Sequence, residues 1–330
     1  KFGFGDSFGF EWGNTTGTLR WNHIYSHKLF SNTSIIYSNY DYKITIGGPG
    51  FEIASVIKDW TFKQDYQWFA NDKHNVKFGI NILTHKISPG GINSIDPDGV
   101  IADLNIQDKR SVEGAAYLLD EWKISNRLSA NYGLRYSSFY AMGEQDVYSY
   151  NENGEIEDTT YYGKNEVFQK YNGLEPRIAV TRMLNEYSSM KASYSRGYQY
   201  LHLLSNSTTS SPTDIWMPSS NNIKPQLSDQ FTVGYFRNFK DNTYEFSIES
   251  YYKPMSNLID YKTGAEVLLN EFVEGQLAYG IGRAYGAEIL IRKNKGKLTG
   301  WLGYTLARTE KKFEAINSAN WFPARQDRIH

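Results

Sequence analysis

Residues Ala115–Phe139 read AAYLLDEWKISNRLSANYGLRYSSF. A short turn at Lys123–Arg127 separates two extended runs. In the second run Leu128, Ala130, Tyr132, Leu134 and Tyr136 share one parity, and Ser129, Asn131, Gly133, Arg135 and Ser137 share the other. Side chains alternate across a strand, so the two sets fall on opposite faces of a sheet. One face is apolar and ends in tyrosines; the other is polar and carries a charge. A soluble sandwich could carry one such hairpin. The same hairpin repeated along the chain, with short turns and long loops in alternation, predicts an all-β fold: an antiparallel transmembrane β-barrel.

Working outward from that hairpin, the same reading gives strands at about Phe4–Trp12 and Thr15–Tyr25, joined by a turn at Gly13-Asn14. Further strands follow at about Leu29–Tyr42, Glu52–Trp68 and His74–Ile87. Beyond the hairpin they continue at Leu174–Leu184, Ser188–Tyr198, Ser228–Phe239, Thr243–Lys253, Tyr279–Arg292 and Lys297–Thr309. Long polar stretches read as loops at Ser88–Asp108, Met142–Glu166, Gln199–Leu227 and Pro254–Ala278. In-phase apolar sets recur, among them Val76, Phe78, Ile80 and Ile82, then Phe231, Val233 and Tyr235, then Ile289 and Ile291. Glu245, Glu249 and Glu288 sit mid-strand on the opposite parity, which in a wide barrel is the lumen. Tyr and Trp gather near strand ends, where a membrane protein places its interfacial girdles.

Composition agrees with this reading. The 330 residues include 26 Tyr and no Cys, and the formal charge of −1 gives no field that would favour nucleic acid. No run of about 18 apolar residues exists, which rules out transmembrane helices but not barrel strands, since these need only about 9–11 residues each. Several expected strands are longer than the usual 5 or 6 residues of soluble sheets, and no blade-length repeat is present. Neither end of the sequence reads as a natural terminus, so the chain is expected to be an interior piece of a longer protein.

Several stretches resemble the barrel domain of TonB-dependent outer-membrane receptors, in the form common among Bacteroidetes. They include Arg20-Trp21-Asn22-His23, Tyr117–Trp122, Gly133-Leu134-Arg135-Tyr136, Glu175-Pro176-Arg177, Lys191–Arg196 and Gln199–Leu204. Lys224-Pro225-Gln226, Tyr251-Tyr252-Lys253, Ala284–Glu288, Tyr304-Thr305-Leu306 and Asp327–His330 continue the series. The resemblance implies a barrel of about 22 strands plugged by an N-terminal domain, of which about 13 strands are read here. The plug domain and the C-terminal barrel strands would then lie outside residues 1–330. It further implies import of a scarce, bulky nutrient (siderophore, vitamin, peptide or oligosaccharide) into the periplasm. The energy would come from the TonB–ExbB–ExbD complex acting through the plug. Outer-membrane lipids are the implied surroundings. A surface lipoprotein is a further candidate partner, though Lys224-Pro225-Gln226 is atypical of the branch that uses one.

Site residues follow from position more than from motif. Gln199, Tyr200 and His202, with Trp216 further on, put amide, aromatic and imidazole groups at the outer mouth, where they could contact a ligand; girdle or loop packing is the competing use. Arg135 and Arg177, on lumen parity, could hold an anionic ligand or pair with plug carboxylates; the expected use is salt-bridging with Glu245, Glu249 or Glu288. The six His are scattered without metal-ligand spacing, and Asp96-Pro97-Asp98-Gly99 lacks the further ligands of a calcium loop. Gly280-Ile281-Gly282 lies in a strand pattern and is no nucleotide fingerprint. No catalytic spacing, cofactor or metal site is expected, and no enzyme. Two rival readings differ in what they predict. An outer-membrane docking or scaffold barrel would show a contiguous apolar patch on its loops. A soluble secreted β-rich binding protein would bury the Leu128/Tyr132/Leu134 face.

Overall fold

A computed structural model describes residues 2–4, 8–47, 50–94, 103–204, 215–266 and 270–324. Asp96–Gly99, Gly48-Pro49 and Asp327–His330 lie outside the described residues.

Twelve long strands follow one another as antiparallel neighbours in chain order. They are Phe8–Ser26, Leu29–Ile46, Phe51–Asn71, His74–Ser94, Lys109–Ser125, Leu128–Met142, Val167–Asn185, Ser188–Gln199, Gln226–Phe239, Tyr244–Tyr261, Leu277–Lys293 and Gly300–Phe313. With the short segments Phe2–Phe4, Leu104–Asn105 and Phe322–Pro323 they form one 15-stranded sheet. Tight turns such as Asn71–His74 and Ser125–Leu128 lie at one end and most of the longer connections at the other, the asymmetry of an outer-membrane barrel.

The expected turn at Gly13-Asn14 does not form. Phe8–Ser26 is one strand of 19 residues, with Gly13 opposite Asp41 and Asn14 opposite Tyr40. A Gly-Asn pair turns a chain only where no neighbour offers a ladder; here Leu29–Ile46 supplies hydrogen-bond partners throughout, and pairing overrides local preference. Most strands also run further outward than the sequence suggested: His74–Ser94 spans 21 residues and Val167–Asn185 spans 19. Crossing the bilayer takes about half of that, so the remainder rises above the membrane.

The register carries the alternation across the sheet. Leu134 lies opposite Leu118 and Pro176, whereas Arg135 lies opposite Tyr117 and Glu175. Leu118, Leu134, Phe231 and Val233 are 48–56% exposed. A soluble protein would bury that face, so this exposure removes the soluble rival. Trp60 and Trp68 share the apolar face eight residues apart, about 26 Å along the strand and roughly 20 Å along a barrel axis tilted by ~40°. They mark two girdles on either side of an apolar band.

The buried clusters lie where the outer connections fold over the strand ends. One joins Phe139, Ala141 and Tyr200 with Phe168, Tyr171 and Tyr198; another joins Leu204, Met217, Ile223, Ile259, Val273 and Leu277. Two stretches expected to be plain loops contain hairpins: Gln145–Tyr150 with Ile156–Tyr162, and Leu201–Leu204 with Ile215–Pro218. Their strands are short and lack a sustained period-two pattern, so composition alone read them as loop.

The outer mouth as candidate functional site

The polar face of the strands forms a lumen wall of opposed charges. Asp65 accepts a 2.6 Å hydrogen bond from Tyr117 Oη. The Tyr117 ring lies across Gly79, where an added Cβ would stand 3.0 Å from the ring and 2.3 Å from the Gln64 carbonyl oxygen. Gly79 is therefore required by close approach. Higher up, Glu175 is buried between two arginines, with Arg135 Nε at 3.4 Å and Arg177 Nη2 at 3.9 Å. The expected pairing of these arginines with Glu245, Glu249 or Glu288 is not the one made. Their strands lie several places away around the sheet, whereas Glu175 is on Arg177's own strand and directly opposite Arg135. Glu245 instead meets Arg292 at 3.8 Å and accepts from Asn294 Nδ2 at 2.7 Å, and Glu249 and Glu288 face one another across neighbouring strands. Near the outer rim His85 is buried on the same face, with Nδ1 2.8 Å from Asp59 and Nε2 3.5 Å from Glu113.

Above this wall four outer segments are knitted together. Gln107 Nε2 donates to Glu271 and to Tyr148 Oη, while Gln107 Oε1 accepts from the Asp146 backbone N–H. Tyr148 Oη donates to Glu271 at 2.8 Å. Asn221 and Asn222 each donate to the Tyr148 carbonyl at 2.9 Å. Glu274 accepts from Ser220 Oγ and Asn222 Nδ2, both at 2.7 Å. Burial first, and then the Glu271 carboxylate, push the Tyr148 hydroxyl up to about 12, so it remains a donor at any physiological pH. Gly154, at φ +85°, brings the tip of the first hairpin against Gly275, whose carbonyl oxygen would be 2.3 Å from any added Cβ. Lys109, Arg110, Gln145, Phe168 and Ser219, with Tyr148, Glu271 and Glu274 of the layer itself, line a small gap of about 20 Å³.

A family profile, TonB dependent receptor-like, beta-barrel, matches residues 1–328. The chain belongs to this family. Its strands form part of an outer-membrane barrel. Solved structures with similar folds include the ferric-catecholate import receptor Fiu from E. coli K12, at 15% identity and TM-score 0.60 over 93% of this chain and 48% of that one. The FrpB iron transporter from Neisseria meningitidis matches at 12% identity and TM-score 0.64, over 93% and 44%. The pyoverdine outer membrane receptor FpvA from Pseudomonas aeruginosa PAO1, bound to pyoverdine, matches at 12% and 0.61, over 94% and 46%. The chain thus spans about half the length of these proteins. Comparison with curated proteins by sequence gives no match.

Within this receptor barrel the residues expected at the mouth are used unevenly. Tyr200 is 4% exposed, stacks on Phe139 with ring centroids 5.2 Å apart, and shares a 2.8 Å hydrogen bond with Ser137 Oγ. His202 is buried, with Nε2 3.0 Å from Ser219 Oγ and Nδ1 without a hydrogen-bond partner among the described residues. Burial pushes its imidazole down to about 4. Gln199 is exposed and donates to the Leu201 carbonyl, and Trp216 is half-buried in the partner strand of His202's hairpin. Both side chains are thus buried in contacts, Tyr200 against the lumen-parity residues Phe139 and Ser137 and His202 against Ser219. The residues that hold the layer together, Gln107, Tyr148, Glu271 and Glu274, went unnoticed in the sequence. Their partners are up to 164 positions away, and no local spacing announces such contacts. Among the described residues no group of His, Asp or Glu side chains is arranged to hold a metal ion.

Proposed function

We propose that this barrel segment is part of a TonB-dependent importer that carries a scarce, bulky nutrient into the periplasm. A metal chelate is the favoured cargo, with vitamin, peptide and oligosaccharide as the other members of the class. The observation that carries this reading is the interlocked layer of outer segments standing over a lumen wall of opposed charges. Such a layer is built from amide, phenol and carboxylate groups, the polar chemistry a bulky ligand would meet at the mouth. The names of the structurally similar proteins, an import receptor for ferric catecholates and a receptor for pyoverdine, favour a chelate. A plug domain and further strands in the remainder of the protein would complete the barrel and connect it to TonB with ExbB–ExbD. Motifs such as Gly133-Leu134-Arg135-Tyr136 favour the form common among Bacteroidetes. The docking-barrel alternative has less support, because the apolar loop residues Leu204, Met217 and Val273 pack into a buried cluster instead of lying on the surface.

The test is uptake of labelled ferric chelates by cells carrying the full-length protein, with and without TonB. Accumulation that requires both supports the proposal. Accumulation that persists without TonB, or the absence of uptake for every member of a panel spanning chelates, vitamins, peptides and oligosaccharides, removes it.

A further inference from the structure

On the lipid-facing parity, just above the outer aromatic girdle, three cations stand in register on adjacent strands. Lys58 lies directly opposite Lys86, and Lys86 directly opposite Arg110. Like charges opposite one another across a sheet destabilise it unless a counter-charge is supplied. Asp108 reaches Lys86 at 2.7 Å and Glu144 reaches Arg110 at 3.5 Å. Lys58 is exposed and has no carboxylate partner among the described residues. The row faces an open cleft of about 560 Å³ that Tyr37, Trp60 and Val112 also line. Trp60 and Tyr37 form an aromatic pair with centroids 4.8 Å apart.

Position fixes what this cleft meets. Lys58 stands 13 residues outward from the turn residue Asn71. About 9–11 residues cross the hydrocarbon, so Trp60 marks its outer boundary and Lys58 lies at headgroup depth. Three other cations on the same face have carboxylate partners. Arg196 holds Asp229 in a two-point pair at 2.8 and 3.0 Å, and Arg283 and Arg308 both hold Glu310 at 2.7 Å. Only the Lys58 row, among these, combines an uncompensated cation with open space.

We propose that this cleft is a binding site for a phosphate-bearing lipid headgroup of the outer leaflet. Lys58, Lys86 and Arg110 contact the phosphate, and Trp60 and Tyr37 lie against the top of the acyl chains. The site opens on the lipid-facing parity, shares only Arg110 with the gap under the outer loops, and does not depend on the identity of the cargo.

The test uses the full-length protein in mild detergent and native mass spectrometry with a bisphosphorylated, acylated disaccharide lipid. Wild-type protein is expected to retain the lipid, and K58Q/K86Q/R110Q to retain it about tenfold less or lower still. The dephosphorylated lipid is expected to bind wild type no better than the triple variant, and millimolar inorganic phosphate is expected not to displace the lipid. Equal retention by wild type and variant overturns the site. Displacement by inorganic phosphate alone overturns the lipid as its occupant. Heat-modifiable gel migration checks assembly. Should the triple variant fail to assemble, Lys58→Gln, which breaks no ion pair, carries the test, and unchanged retention in that variant overturns the proposal.

Discussion

Glu274 accepts from Ser220 and Asn222, and Asn222 also donates to Tyr148, so one carboxylate helps hold three outer segments. Glu274→Ala leaves two donors without their acceptor, a cost of about 1–3 kcal/mol borne by the loop layer and not by the strands. Limited proteolysis within 262–276 is expected to quicken while heat-modifiable migration stays the same; unchanged cleavage would show that the layer does not depend on this contact. His202 provides a pH-dependent counterpart. Its folded value of about 4 lies below the ordinary 6.5, because burial disfavours the protonated imidazole. Its contribution is fully present above pH 6.5 and is lost as pH falls towards 4, on the order of 3 kcal/mol in all. Hydrogen exchange in Leu201–Leu204 is expected to rise over that interval, and His202→Asn is expected to flatten the rise. At this scale the sequence revealed little. It marked Tyr200 and His202 as notable but not the direction they face, since that depends on Phe139 and Ser219, 61 and 17 positions away.

Strands were the most legible elements because their signal is local and repeated. The two faces of Leu128–Met142 followed from alternate residues alone, and the pairing of Leu134 with Leu118 and of Arg135 with Glu175 keeps those faces intact. The consequence is an asymmetry between neighbouring positions. Leu134→Lys puts a charge into the apolar band at ~2–4 kcal/mol, whereas Asn131→Lys faces the lumen opposite Glu121. Assembly, read from heat-modifiable migration, is expected to fail or slow in the first variant and to proceed in the second; equal behaviour would mean the faces are wrongly assigned. Strand ends were less legible. Gly13-Asn14 carries turn chemistry, yet the neighbouring strand's hydrogen bonds hold it extended, and the outer hairpins draw their stability from clusters such as Leu204, Met217 and Ile223 that only the folded chain brings together. Non-local pairing and packing decide those boundaries, and a sequence window holds neither.

At the scale of the molecule, the sheet is a wall and not a closed cylinder: among the described residues Phe8–Ser26 and Gly300–Phe313 are not paired with each other. Apolar side chains along both margins are far more exposed than those in the middle, with Leu19 and Leu302 each at 70%. Unpaired edges of this length invite pairing with further strands, and in a bilayer every backbone group needs a partner. Twelve long strands supply roughly half of a barrel of about 22, in agreement with the 44–48% of the similar receptors that this chain covers. These observations predict the mass of the native polypeptide. The residues present amount to 37.9 kDa, so a protein with a complete barrel and a plug should be roughly twice that or more when extracted from its source and measured intact. Such a mass would provide partners for both open margins and the segment through which TonB could act. A native mass near 37.9 kDa would leave both margins without intramolecular partners; the chain would then have to close by self-association, and a plugged importer could not be built from it.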